Sequence, residues 1–260
     1  MKIPYLASHD VIPERANATA YEAREILGMI FFWFDAEGRK PVWEIRHHED
    51  IDENYYHALD KEMEFDQHIL EMSMNSADEY HFNNLHAGLP LPFLEKYSTL
   101  KHKVDTHYGT GKADSHVSYF DEVIYHYEMF GMEAPASIYK NVKIQVIFEG
   151  PSIIHFSLIT PFGKARMIKT QLPTEPMHVH VGVKWFAEKN MPFYAVKLLA
   201  TIAANALEQD RPVWENKIYL PKPTLVKNDG FFNQFHKWYC TEFYSDSSVK
   251  VGSDNENFEW

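Results

Sequence analysis

Asn75-Ser-Ala-Asp78-Glu-Tyr-His81-Phe-Asn-Asn-Leu-His86 is a run of side chains able to bind a metal or move protons. Ile69, Leu70, Met72, Met74 and Ala77 recur at helical spacing, so residues 67–86 are expected to form one helix, stopped near Gly88-Leu-Pro90. On a helix Asp78 and His81, three apart, share a face. His81 and His86 stand about 140° apart around an ideal helix, so one ion reaches both rings only if the helix distorts or ends between them. Gly88, just beyond, makes an ending reasonable. Imidazole and carboxylate together suffice for mononuclear Fe(II).

Cysteine narrows the choice. Cys240 is the only one, so no intrachain disulfide forms, and an iron–sulfur cluster needing two Cys and two His cannot be held by these residues alone. Cys240 sits among aromatics and reads as a buried thiol. Other groupings read more simply. His178 and His180 lie on one strand face as a polar, solvent-facing pair. His47-His48-Glu49-Asp50 opens a charged loop that runs to Asn54. Gly109-Thr-Gly-Lys112 superficially resembles a phosphate loop, but Thr106 and Ala113 occupy the key places, so a hairpin turn is expected.

The elements that must position these groups follow from periodicity. Residues 1–27 are polar and mixed, an N-terminal arm, with one domain over 28–260. Gly28 to Asp35 reads as a buried strand that turns at Asp35-Ala-Glu-Gly38 into Pro41-Val-Trp-Glu-Ile45. From about 100 to 187, alternation dominates: Val142, Ile144, Val146 and Phe148; then Ile154, Phe156 and Leu158; then Val179, Val181, Val183 and Trp185. Period two with one polar face means an antiparallel sheet covered on one side. Met191-Pro192 opens a long helix with an apolar stripe at Ala195, Leu198, Leu199, Ile202, Ala203 and Ala206, running to about Asp210. A last helix is expected over Phe231–Tyr244. The fold class is therefore α+β, a twisted antiparallel sheet with long helices packed on one side.

A net charge of −12 argues against nucleic acid and anionic membrane surfaces as partners. No run approaches the roughly 18 apolar residues that span a bilayer, and Met1 to Asp10 has no signal-peptide core. A soluble, cytoplasmic location is the default expectation.

Asp78-x-x-His81-x-x-x-x-His86 is similar to the iron-binding motif of Rieske non-haem oxygenase catalytic domains. Further matches follow in order. Gly28-Met-Ile-Phe-Phe-Trp-Phe-Asp-x-Glu-Gly38 with Pro41-x-Trp-Glu resembles the strand pair after the cluster domain. Gln209-Asp210-Arg-Pro-Val-Trp214-Glu-Asn216-Lys217 resembles the segment that carries the third ligand. Asn228-Asp229-Gly230 with Trp238 and Phe243-Tyr244 resembles the ketosteroid 9α-hydroxylase and cholesterol 7-desaturase branch.

That resemblance implies a helix-grip-like domain in which His81, His86 and Asp210 hold Fe(II) on one face, leaving positions for O2 beside substrate. Asp78 would link the iron site to a cluster histidine of a neighbouring subunit, and Asn75 would stand behind the ligands without touching the metal. Pro212, two residues after Asp210, is unusual in a helix. The implied reaction is hydroxylation of an apolar, steroid-like substrate, with demethylation at an N- or O-methyl as an alternative outcome. The cluster domain itself is missing from the resemblance. Electrons are thus expected from a separate Rieske or ferredoxin-type donor and its reductase. The family's trimers dock cluster domains between subunits, so a homotrimer is expected only together with that partner. The competing reading is a ligand-binding module with a vestigial iron site.

Overall fold

Two left-handed residues, Leu27 (φ 53°) and Gly28 (φ 70°), form the two-residue turn whose twist suits a hairpin. They join β1 (Ala23–Ile26) to β2 (Met29–Phe32), antiparallel with Ile26 facing Met29. The computed structural model describes residues 19–109, 113–218 and 230–244. These fall in two compact units, Met1–His47 and His48–Trp260. The first departs from expectation. Its strand starts inside the segment read as an arm, and Ile30 and Phe32 of β2 are exposed rather than buried. Residues 41–45 form no strand, and Asp35 Oδ1 accepts from the backbone of Glu37 and Arg39 to close the turn before them.

In the second unit, residues read as a charged loop include a short helix, α1 (Glu49–Asn54), whose Ile51 is buried. The chain continues through β3 (Tyr55–Phe65), α2 (Ile69–Asn75), α3 (Glu79–Asn84), β4 (Ser98–Tyr108), β5 (Val117–Met129) and the two-residue β6 (Met132–Glu133). It then forms α4 (Ala136–Tyr139), β7 (Lys143–Glu149), β8 (Ile153–Thr160), β9 (Gly163–Glu175), β10 (His178–Glu188), α5 (Phe193–Glu215) and α6 (Gly230–Tyr244). The strands make an eight-stranded sheet in the order β3-β10-β9-β8-β7-β5-β4, with β6 added beside β5. Every neighbouring pair is antiparallel.

The apolar phase of each strand turns to one face. Val179, Val181, Val183 and Trp185 of β10 pack with Ala195, Val196 and Trp214 of α5. Val146 and Phe148 of β7 and Ile154 of β8 pack with Phe235 and Tyr239 of α6 and with Leu70 and Met74 of α2. The result is the expected α+β, helix-grip-like layer of helices on one side of the sheet. The other face is drier than the alternation predicts. Ile153, His155 and Ile168 are buried there, with the His48 ring 4.5 Å from that of His155.

The single helix expected over 67–86 is two. Asp78 takes an extended backbone (φ −104°, ψ 95°), and its Oδ1 accepts from the amides of Tyr80 and His81, capping α3. Conversely, α5 continues through Pro212 to Glu215. Arg211 pins that end, donating to Glu208, Glu215 and the Glu64 carbonyl, with its guanidinium 4.1 Å from the Phe65 ring centre. Residues 110–112 of the Gly109–Lys112 turn and the pair Asn228-Asp229 lie outside the described residues. Among the described residues no helix is long and apolar enough to cross a membrane.

Candidate metal centre

α3 ends at Asn84, so His81 projects from the helix and His86 from the chain just past it. The ending removes the angular conflict that a continuous helix would impose. α3 is held in place by β4, an edge strand whose outer backbone groups lack a neighbouring strand. Asn83 supplies one in miniature: its Nδ2 donates to the His102 carbonyl (2.9 Å) and its Oδ1 accepts from the His102 amide (2.8 Å). Glu79 Oε2 accepts from the Val104 amide. Both side chains replace ladder bonds and thereby fix the helix carrying His81.

Asp210, buried in the last two turns of α5, meets both rings. Its Oδ1 accepts from His81 Nε2 at 2.7 Å and lies 3.2 Å from His86 Nε2, and the two rings stand 4.5 Å apart. One donor atom from each of the three lies within 4.8 Å of the others. Gln209, the next residue on α5, accepts from His86 Nδ1 at 2.9 Å. An amide oxygen can only accept, so that bond places a proton on Nδ1 and leaves Nε2 as the nitrogen turned to the common point.

Burial pushes the Asp210 carboxyl up, but the hydrogen bonds from His81 and His86 outweigh it, and Asp210 ends below its usual range. For His86, burial acts downward and the Asp210 carboxylate prevails, so the ring is raised. Two imidazoles around an ionised, desolvated carboxylate are the donor set that suits ferrous iron.

The family model for the 3-ketosteroid 9alpha-hydroxylase C-terminal domain matches residues 32–244. The chain belongs to that family. Two curated relatives are similar along nearly its whole length: cholesterol 7-desaturase of Caenorhabditis elegans, 29% identical over 98% of this chain and 60% of the relative, and cholesterol 7-desaturase nvd 1 of Ciona intestinalis, 27% identical over 98% and 54%. The chain thus spans little more than half the length of these relatives. Among solved structures, Pseudomonas putida CBB5 NdmA with caffeine superposes with a TM-score of 0.61 at 14% identity, covering 89% of this chain and 64% of that one. At that identity the likeness concerns the fold.

The remaining residues of the sequence reading fall in different places. Asp78 is the cap of α3, adjoining the triad through the backbone of His81. Asn75 ends α2, and its carbonyl accepts from the Asp78 amide. His178 pairs with Asp66 at 2.7 Å and His180 with Glu64 at 2.6 Å, a half-exposed ladder on the sheet. Cys240 is half-buried against His236, and burial raises its thiol. Sequence reasoning missed Gln209, although it sits beside Asp210 in the quoted segment. It missed Lys169, buried on the helical face of β9 and pushed down to about 8 by desolvation, with Asp210 acting against that. It also missed Glu122, which holds His102 Nδ1 at 2.7 Å behind Phe82, whose ring lies 4.9 Å from that of His81. These carry no spacing signal, because each acts across strands or helices.

Proposed function

We propose that this chain is the mononuclear-iron domain of an oxygenase, with His81, His86 and Asp210 holding Fe(II), acting on an apolar, sterol-like molecule. The observation that carries the reading is the convergence of two imidazoles and one carboxylate from residues 81, 86 and 210 on one buried point. Family membership supports it, and the cholesterol 7-desaturase relatives support the sterol class.

Fe(II) held by His81, His86 and Asp210 would supply O2 activation there. The chain's own residues do the positioning. Gln209 fixes the tautomer of His86, Asp78 and Asn83 fix α3, and Asp210 stays ionised. Phe82 stands against both histidine rings and keeps that side dry. Hydroxylation by this route consumes two external electrons per O2. With Cys240 as the one cysteine, a two-iron, two-sulfur centre lies outside these 260 residues, on a partner protein or on a further segment of a longer polypeptide. Asp78 adjoins the ligand His81 and is the residue through which such a centre would be coupled.

The test is anaerobic loading with Fe(II), followed by O2, a Rieske-type ferredoxin with its reductase, and cholesterol or a 3-ketosteroid. Oxygenated or desaturated product is expected from the wild type and none from His81→Ala, His86→Ala or Asp210→Ala. Product that survives those substitutions rules the site out. Iron-independent sterol binding without turnover supports the binding-module reading instead.

A further inference from the structure

A second group of metal-binding side chains lies on the opposite face of the sheet. His155 falls between Ile154 and Phe156, which pack on the helical side, so its side chain points away from the iron triad. Glu149, next to Phe148, does the same. In the β7–β8 register Glu149 faces Ile153 and Ile147 faces His155, so Glu149 and His155 are diagonal neighbours on that face. His48, immediately before α1, closes over them. An imidazole nitrogen of His48, a carboxylate oxygen of Glu149 and an imidazole nitrogen of His155 all lie within 4.8 Å of one another.

From this geometry we infer that His48, Glu149 and His155 form a second binding site, for a divalent transition metal of the zinc class, which ties the start of α1 to the sheet. Several observations support it. Glu149 is wholly buried and lies against the buried His155, so both donors sit out of bulk solvent. His155 Nε2 stands 2.7 Å from Glu149 Oε2, so two of the three donors are already side by side. Meanwhile His48 Nε2 and His155 Nδ1 are buried without a hydrogen-bond partner among the described residues. Two histidines that only packed together would leave those polar atoms as a net cost.

Donor chemistry narrows the ion to the divalent first-row transition metals, zinc among them: two nitrogens and one carboxylate match these, whereas calcium and magnesium take oxygen cages. The nearby cation, Arg166, lies on the same face of β9 and works against a metal, but its guanidinium is matched by Asp50 Oδ2 at 2.7 Å. Because the two triads occupy opposite faces, the outer one is separable from the iron site by mutation. A His155–Glu149 ion pair with no metal is the alternative that the experiment must distinguish.

Cobalt(II) is the probe, since its visible absorption reports nitrogen and oxygen ligation. Chelator-stripped protein carrying His81→Ala, His86→Ala and Asp210→Ala is expected to retain about one Co(II) per chain. Adding His48→Ala is expected to weaken that binding by more than the roughly 10–100-fold that loss of an outer-sphere partner costs. His155→Gln is expected to abolish the absorption. Far-UV circular dichroism checks each fold. Should the triple variant not fold, the same comparison is made on the wild type, where His48→Ala is expected to remove about one of two equivalents. A triple variant that binds no Co(II), or a wild type whose stoichiometry is unchanged by His48→Ala, overturns the site.

Discussion

Gln209 matters because an imidazole offers a metal one nitrogen and must park its proton on the other. Its Oε1 takes the His86 Nδ1 proton. Gln209→Leu keeps the volume and removes the acceptor. Fe(II) affinity is expected to fall roughly 10–100-fold, measured by anaerobic titration, while the fold stays intact. His68 makes a different kind of contribution. Its Nδ1 accepts from the Leu70 amide at the start of α2, which a protonated ring cannot do, and burial holds it at about 4. In the unfolded chain histidine titrates near 6.5. Between about 6.5 and 4 the unfolded state therefore binds a proton that the folded state refuses. This contribution is complete above pH 6.5 and is lost as pH falls towards 4, by an amount on the order of 3 kcal/mol. His68→Asn keeps a capping oxygen and removes the titration. Urea unfolding at pH 7 and pH 5 is expected to show a smaller acid loss for the variant, and equal losses would assign the effect elsewhere.

The elements differ in how much of them the residues advertise. β7, β8 and β10 were legible because alternating apolar side chains state both the strand and its buried face. α6 lies where a last helix is expected, over Phe231–Tyr244. The break between α2 and α3 was not, because Asp78 is three residues from His81 and reads as a partner on a helix face, while in the structure it is the cap that starts a new helix. The hairpin at 23–32 is hidden for a related reason: the apolar run Met29–Phe32 signals burial, yet a two-stranded ribbon leaves Ile30 exposed. The candidate ligands were legible only through family likeness, since Asp210 stands 129 positions from His81. The residues that aim them were silent. Asn83 is the test at this scale. Asn83→Ala removes both bonds to His102 and leaves an edge-strand amide and carbonyl half-buried. A loss of roughly 2 kcal/mol is expected in chemical denaturation, with weaker Fe(II) binding because α3 is no longer held against β4. Asp78→Ala is expected to cost about 1 kcal/mol from the cap alone. A loss of product formation in Asp78→Ala with Fe(II) affinity preserved would point to electron transfer rather than helix capping.

For the whole molecule, metal and fold are coupled. The three inner donors belong to α3, the segment after it, and α5, which are separated by most of the sheet in sequence and joined only in the native state. An ion bound there recognises the folded chain and has no matching site in the unfolded one, so its binding energy adds to stability. With free Fe(II) at a hundredfold excess over its dissociation constant, the gain is about 2.7 kcal/mol. For a chain of this size that corresponds to a melting shift of roughly 5–10 °C. The outer triad would add its own increment, so the measurement belongs in the His48→Ala background, where the inner site acts by itself. Anaerobic differential scanning calorimetry of His48→Ala with and without Fe(II) is expected to show the shift, and a chelator to reverse it. Adding Asp210→Ala is expected to erase it, because two neutral imidazoles without the carboxylate bind ferrous iron too weakly. A shift of equal size in that double variant would mean that iron stabilises the chain from somewhere other than the triad, and the catalytic reading would lose its structural basis.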